Sequence, residues 1–385
     1  MVMKVRVTGL EKRFFSIVYP PKCVWIDFDS ANVKSFPGLK LRVGNDFNIF
    51  FLKIGDLMSE RQPFSLNVFY ARASSPPLLL APMAGVTDRP FRALAREQGC
   101  DLACTEMVSA KAVNQKNPQT WKLLDIEGEF PVGVQLFGSS PEVMAAAAAI
   151  AQAKGAALVD INMGCPVPKI VGNGEGAALM QNPRLAEEIV RRVSLEVSIP
   201  VTVKIRAGWD ENSLNAPSLA KRLAQAGAGA ITVHGRSREQ YYSGKADWGI
   251  IRQTVQAVDI PVIGNGDIWS GQEALARLEE TGCAGLMLAR GALGNPWLFP
   301  EIRAALKGRE YKPPTKEARF SLALRHFRQE LEYRGGERGT AFMRKHLAWY
   351  IKGLPGAAAL RNKINTTTDP KEVEKLMAAY LEDKR

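Results

Sequence analysis

Histidine and cysteine are scarce in this chain, with three and five in 385 residues. His234, His326 and His346 lie far apart in sequence and no Cys-x-x-Cys pair occurs, so no structural zinc site is written into the chain and no metal is expected. Five cysteines are too few for a disulfide framework, and a reducing, cytoplasmic setting is expected. Long apolar runs are missing as well. No stretch approaches the ~18 residues of a membrane span. Charges interrupt the first twenty residues, so neither a membrane anchor nor a secretory leader is expected. No Gly-x-Gly-x-x-Gly follows a strand-like run and no Gly-x-x-x-x-Gly-Lys-Ser/Thr occurs, which removes the commonest nucleotide-binding loops. What is present is a core-forming composition, 46% hydrophobic and 23% charged.

Acidic residues are the other shortage. The formal net charge is +12 and the sequence pI about 9.5. The excess is not spread evenly: residues 78–310 balance, while residues 311–368 carry 12 basic against 4 acidic residues. Solvated helix faces are one reading. A neutral catalytic part with a basic appendage that grips a polyanion is the other.

Between residues 78 and 310, eight short apolar runs alternate with helix-length segments. They are 78–83, 102–107, 132–138, 157–164, 201–208, 230–236, 261–267 and 285–291. Eight strands alternating with helices over about 230 residues predict an α/β fold of the (β/α)8, or TIM barrel, class. Side chains alternate faces along a strand. In the fifth run Val201, Val203 and Ile205 share one face, and Thr202, Lys204 and Arg206 the other. In the sixth, Ile231 and Val233 oppose Thr232, His234 and Arg236; in the fourth, Val159, Ile161 and Met163 oppose Asp160 and Asn162. The apolar phase suits packing against helices. The polar phase then points into the barrel, near the C-terminal strand ends where barrel enzymes place their sites. Burying Lys204, Arg206 and Asp160 for structure alone would be costly, although a Lys204–Asp160 salt bridge would soften that cost.

After residue 310 the pattern becomes helical, with segments expected at 315–334, 339–352 and 370–383. The expected domains are therefore an N-terminal extension of unassigned role (1–77), the barrel (78–310) and a small all-α helical domain (311–385). The extension holds nine of the 16 phenylalanines, and alternating patches at Val5–Val7 and Phe47–Leu52 hint at strands.

Cys165 follows the fourth strand in a Gly/Pro turn, in Asp160-Ile-Asn-Met-Gly-Cys-Pro166, whereas Cys100, Cys104 and Cys283 read as small buried hydrophobes. Glycine-containing turns after strands seven and eight, Gly264–Asp267 and Ala289–Gly294, sit where barrels bind phosphate through backbone N–H groups, and Arg290 adds a cation. Lys204 could hold negative charge on a flavin's pyrimidine ring.

The segments Ala81–Arg92, Val134–Gly138, Asp160–Ile170, Lys204–Trp209, Val233–Arg236, Gly264–Ile268 and Ala289–Trp297 together resemble the tRNA-dihydrouridine synthases, most closely the bacterial B-type (nitrogen-regulation-like) branch. The resemblance runs from about Leu78 to the C-terminus. It implies an FMN-binding barrel followed by a helical tRNA-binding domain, and reduction of tRNA D-loop uridine to 5,6-dihydrouridine with NADPH or NADH as reductant. It implies hydride transfer from FMN N5 to C6 and a proton from Cys165 to C5. The implied FMN contacts are Pro82, Met83, Ala84, Gln135, Lys204, Asn265, Gly266, Asp267, Ala289 and Arg290. Asn162, Arg206 and His234 match positions that touch cofactor or substrate. A monomer with tRNA as partner is expected. One departure is that Lys53–Leu57 looks like the family's opening, yet about 20 residues separate it from Leu78. A flavin oxidoreductase of free pyrimidines, or a tRNA-binding module with a vestigial barrel, would share parts of this pattern.

Overall fold

The computed structural model describes residues 14–19, 22–27, 64–71 and 75–382. The chain divides into two units, Met1–Pro63 and Phe64–Arg385. In the first, β1 (Phe14–Tyr19) pairs antiparallel with β2 (Lys22–Asp27), from Phe14 opposite Asp27 to Tyr19 opposite Lys22. The patches at Val5–Val7 and Phe47–Leu52 and the Lys53–Leu57 opening lie outside the described residues.

The second unit is built on a closed parallel barrel. Its strands are β3 (Leu78–Leu80), β4 (Leu102–Cys104), β6 (Val132–Phe137), β7 (Leu158–Met163), β8 (Val201–Arg206), β9 (Ala230–His234), β10 (Val262–Asn265) and β11 (Gly285–Leu288). They pair in that order, with β4 on β6 and β11 on β3 closing the ring; the short β5 (Val108–Ser109) extends the edge of β6. Each strand falls inside one of the eight apolar runs. The outward phase also holds: Val201, Val203, Ile205, Val159, Ile161 and Val134 are buried in the cluster that packs against the helices.

Local chemistry sets the helix starts. Ser140, Asn182 and Ser270 cap the helices Pro141–Ala153, Pro183–Glu196 and Gly271–Thr281, each accepting a backbone N–H three residues on. Proline at the first helical position of the first two supplies a helical φ where no N–H partner is needed.

The helix Leu66–Ala71 belongs to the barrel unit although it falls within the stretch read as an extension. Leu66 is buried with Leu79, Leu102, Leu158, Ala230, Ile263 and Met287, and Phe64, Phe69 and Tyr70 pack against them. These rings cover the apolar lower layer of the barrel interior, so the interior is polar only towards the other end.

Four helices follow the barrel: Lys316–Arg334, Gly336–Tyr350, Ala357–Thr366 and Pro370–Glu382. Three occupy the expected segments. Ala357–Thr366 has only Leu360 and Ile364 buried, too weak a stripe to announce itself in the sequence. The second helix resumes at Gly336 rather than 339. Gly335, at φ +87°, makes the whole turn, and a Cβ on Gly339 would meet Glu330 backbone oxygen at 2.9 Å, so the helix pair packs backbone to backbone there. Leu322, Phe327, Leu347 and Tyr350 are buried in the bundle core with Leu94 of a barrel helix.

The bundle is tied to the barrel by partly buried polar contacts. Arg334 donates to Asp88, the N-cap of the barrel helix Arg89–Glu97, and to Glu330 Oε2 at 2.8 Å; Lys345 donates to the Gly85 carbonyl. Burial and the neighbouring Asp88 carboxylate push the Glu330 carboxyl well above the ordinary range. Sequence separation misjudged the histidines here. The His326 and His346 rings lie 4.9 Å apart, and ligand atoms of Asp88, His326 and Glu330 fall within 4.8 Å of one another. Arg334, bonded to both acidic side chains, already supplies positive charge to this cluster.

Gly294, at φ +63°, brings the loop after β11 against the bundle; a Cβ there would lie 2.4 Å from the Trp349 carbonyl carbon. Gly294→Ala should therefore force the two parts apart and cost about 1–3 kcal/mol. Denaturant unfolding should show a lower midpoint, and an unchanged midpoint would contradict this close backbone approach.

Candidate active site

Strand register builds the inner wall of the mouth. Gln135 on β6, Asp160 on β7 and Thr202 on β8 stand opposite one another. Asp160 is an acceptor, so it takes Thr202 Oγ1–H at 2.6 Å on one oxygen and Gln135 Nε2–H at 2.7 Å on the other. That fixes the Gln135 amide with Oε1 turned away, where it accepts Asn162 Nδ2–H at 2.8 Å. Asn162 is thereby oriented too, and its Oδ1 accepts the backbone N–H groups of Gly164 (3.2 Å) and Cys165 (2.9 Å). One buried carboxylate thus orients, through two amides, the turn that carries Cys165.

Arg206 grips the same turn from the other side. Its Nε donates to the Gly164 carbonyl at 2.7 Å, and Nη1 donates to the carbonyls of Ser237 and Tyr241 at 2.9 Å. Tyr241 returns its hydroxyl to the Pro166 carbonyl at 2.8 Å. Arg206 is 3% exposed, and these hydrogen bonds all go to carbonyl oxygens. Burial pulls its pKa down to about 10.

Lys204 projects from β8 in register with Asn162 and Thr232. Its Nζ donates to Asn265 Oδ1 at 3.1 Å, and Asn265 is held in that sense by donating Nδ2–H to the Met287 carbonyl at 2.7 Å. Among the described residues no carboxylate forms an ion pair with it. The Lys204–Asp160 salt bridge is not made, because Asp160 is matched to Gln135 and Thr202 by register, one pleat below. Burial, then the Arg206 charge, lower the Lys204 pKa to about 8.

Across the mouth Asp267 lies between two guanidiniums. Arg236 binds it bidentately at 2.9 and 2.8 Å, and Arg290 Nη2 donates to Oδ1 at 3.0 Å. Burial would raise the Asp267 carboxyl, but the Arg236 hydrogen bonds, the Ala246 N–H and both positive charges outweigh it and hold it below the ordinary range. Its side chain therefore positions the two arginines. Preceding Gly266 has φ +131°, and a Cβ there would lie 2.6 Å from Ala246 Cβ. His234 is buried with Nε2 3.5 Å from Arg236 Nη1. Its pKa lies well below the free value through burial and then the charges of Lys204, Arg206, Arg236 and Arg290, so it is neutral at pH 7.

Cys165 is partly exposed at the rim, whereas Cys100, Cys104 and Cys283 are buried. Burial raises its thiol pKa despite the Val167 N–H and the Arg206 and Lys204 charges, so it is a protonated thiol at neutral pH. On the first loop Ala84 is exposed and Pro82 and Met83 are partly buried; Met83 N–H donates to Thr87 Oγ1 at 2.8 Å. Ala289 and Arg290 begin the turn after β11.

Gln135, Asn162, Lys204, Arg206, His234, Asn265 and Asp267 thus converge through direct contacts and strand register on one mouth, with Cys165 on its rim. Arg236 and Thr202 were not singled out from sequence, though both lie on the polar phases noted for their strands. Their positioning roles depend on partners from neighbouring strands.

Fold and mouth together define a barrel of the enzyme type, with a cationic site at the C-terminal strand ends. Residues 79–384 match the family model described as "Dihydrouridine synthase (Dus)". A "Probable tRNA-dihydrouridine synthase" of Rickettsia conorii is 42% identical over 306 residues, covering 79% of this chain and 92% of the relative. A "Probable tRNA-dihydrouridine synthase 1" of Synechocystis sp. is 46% identical over 303 residues, 77% of this chain and 84% of the relative. A "tRNA-dihydrouridine synthase B" of Pasteurella multocida is 38% identical over 303 residues, 77% of this chain and 90% of the relative. The chain belongs to the dihydrouridine synthase family.

Asp267→Asn should leave Arg236, whose side chain is 2% exposed, without its counter-charge. Asp267 keeps about a fifth of its surface, so the cost at pH 7 should be about 2–3 kcal/mol, below the range for a wholly buried pair. A carboxylate with a depressed folded pKa stabilises above its unfolded pKa and loses that contribution as pH falls through the folded value. The gap in denaturant midpoint between parent and variant should be full at pH 7 and shrink only in the acid range. A gap independent of pH would contradict the assignment.

Proposed function

We propose that this protein is a tRNA-dihydrouridine synthase that reduces D-loop uridine to 5,6-dihydrouridine with FMN as cofactor and NADPH as reductant. The observation that carries this reading is a partly exposed thiol at the rim of a mouth centred on a lysine that forms no ion pair with a carboxylate among the described residues. Family membership supports assigning the chemistry to that thiol and that lysine.

The residues fit a flavin by their charge and shape. Lys204 is a cation without an ion pair among the described residues, as the pyrimidine end of a flavin requires. Gln135, Asn265 and the Met83–Ala84 loop would surround the ring. Gly266, Asp267 backbone, Ala289 and Arg290 would hold the phosphate, with Arg290 kept in place by the Asp267 carboxylate. The chemistry that a flavin held there and reduced by NADPH would supply is a hydride for C6 of uracil.

The chain supplies the proton. Hydride addition at C6 places negative charge on C5 and O4, and Cys165 Sγ–H gives its proton to C5. Sulfur keeps the S–H electron pair as a thiolate, which the Arg206 and Lys204 charges and the Val167 N–H favour. Partial exposure lets the thiolate regain a proton from water. Asn162, through the Gly164 and Cys165 N–H groups, and Arg206, through the Gly164 carbonyl, keep the thiol turn in place. Neutral His234 can donate or accept a hydrogen bond to uracil or flavin without adding charge. The target base must leave its stack, at about a few kcal/mol. Phosphate contacts from the basic stretch 311–368 offset that cost.

Cys165→Ala should lower dihydrouridine formation on unmodified tRNA by about 10²–10⁴-fold while the flavin spectrum persists. In the parent, single-turnover rates should stay level through neutral pH and fall as alkaline pH removes the thiol proton. Undiminished activity of Cys165→Ala would remove the proposed acid.

A further inference from the structure

A ladder of guanidiniums and rings leads away from the mouth. The Arg206 guanidinium carbon lies 5.8 Å from the Tyr242 ring centre; that of Arg290 lies 5.0 Å from the same ring and 5.6 Å from the Trp269 ring. Both rings face solvent, Tyr242 being 56% and Trp269 49% exposed. Neither ring is needed for the core, and exposed aromatic surface of this kind marks a binding face.

Past Trp269 the ladder opens into a groove of about 690 Å³ where barrel and helical bundle meet. Trp297, Trp349 and Tyr311 line it, so with Trp269 three of the chain's seven tryptophans are gathered there. The volume lies within the range of about 300–1,000 Å³ in which pockets bury a small ligand, and a nucleotide fits it. The close approach of Gly294 to the Trp349 backbone makes one wall stiff. Charge in the groove favours an anion. Arg290, already paired with Asp267, lines it together with Lys352, which is exposed without an ion pair among the described residues. Glu301, the one carboxylate among the described lining residues, has Oε1 committed to the Gly271 N–H at 2.8 Å.

Cations along a strand path with rings between them are what single-stranded nucleic acid needs. Any base can stack on an indole, and phosphates follow the cations. We propose that the track from Tyr242 through Trp269 to the Trp349 groove holds unstacked tRNA nucleotides next to the target uridine. The proposal rests on the tRNA reading above and adds a base-stacking subsite to it. It differs from a contact made by the basic stretch alone, because stacking contributes affinity with little dependence on salt.

The test uses the flavin-loaded full chain, an unmodified tRNA transcript, and the variants Trp269→Leu, Trp269→Phe and Trp349→Leu. Each leucine variant should raise the tRNA dissociation constant about tenfold with the slope against salt and the FMN content unchanged. Trp269→Phe should recover most of the loss. Parent tryptophan fluorescence should be quenched by tRNA, and less so in Trp269→Leu. Trp269 is half exposed, so its variants fold whether or not Trp349 proves necessary for the seam. Unchanged tRNA affinity in Trp269→Leu would overturn the track. So would a loss accompanied by a shallower salt slope, or a raised NADPH KM with tRNA affinity intact. Binding is read without turnover: a parent that bound tRNA through these rings yet formed no dihydrouridine would sustain the track and refute the proposed activity.

Discussion

The mouth depends on a partly buried ammonium with which no carboxylate among the described residues forms an ion pair. Desolvating a charge costs several kcal/mol, on the order of what a whole domain can spare. Lys204 is nevertheless held in place, by an asparagine whose own orientation is fixed through the Met287 carbonyl. The nearest inward carboxylate, Asp160, is engaged by Thr202 and Gln135 instead. Such an arrangement makes sense when negative charge arrives with a ligand. The same logic extends to Arg206, which is solvated by carbonyls and leaves its positive charge to act on the thiol and on whatever enters the mouth.

Asp160 then has a task other than pairing with lysine. Because a carboxylate accepts and does not donate, it settles which way Gln135 turns, and Gln135 settles Asn162. The turn bearing Cys165 is held by that chain on one side and by Arg206 and Tyr241 on the other. Precision at the sulfur is thus derived from hydrogen bonds among strands β6, β7, β8 and the loop after β9. The helical bundle adds a second restraint, since Lys345 and Arg334 hold the middle and the far end of the loop that begins at Pro82. The bundle is therefore part of the geometry of the mouth as well as a basic surface.

Much of this was legible in the sequence, for identifiable reasons. Strands buried by helices are nearly continuous apolar runs, so all eight could be placed, and a period of two separated Lys204 and Arg206 from Val203 and Ile205. Pairing was not legible. Whether Lys204 meets Asp160 depends on the register between β7 and β8, which residue spacing within one strand does not reveal. Arg236 needed Asp267 from another strand end before its role was visible. His326 and His346 sit on different helices and meet only after the turn at Gly335. The helix Leu66–Ala71 has few residues and no motif, and its purpose is set by the apolar barrel layer it covers. Ala357–Thr366 was missed because two buried residues make too faint a stripe.

The central claim is that Lys204 is left unpaired for an anionic flavin. Titrating flavin-free parent protein and Lys204→Met with FMN, with the reduction potential read on the bound forms, tests it most directly. The account predicts one FMN per parent chain, with weaker binding and a lower potential when the ammonium is replaced by an uncharged side chain of similar length. Equal affinity and potential in the two proteins, or a parent that binds no flavin, would contradict it.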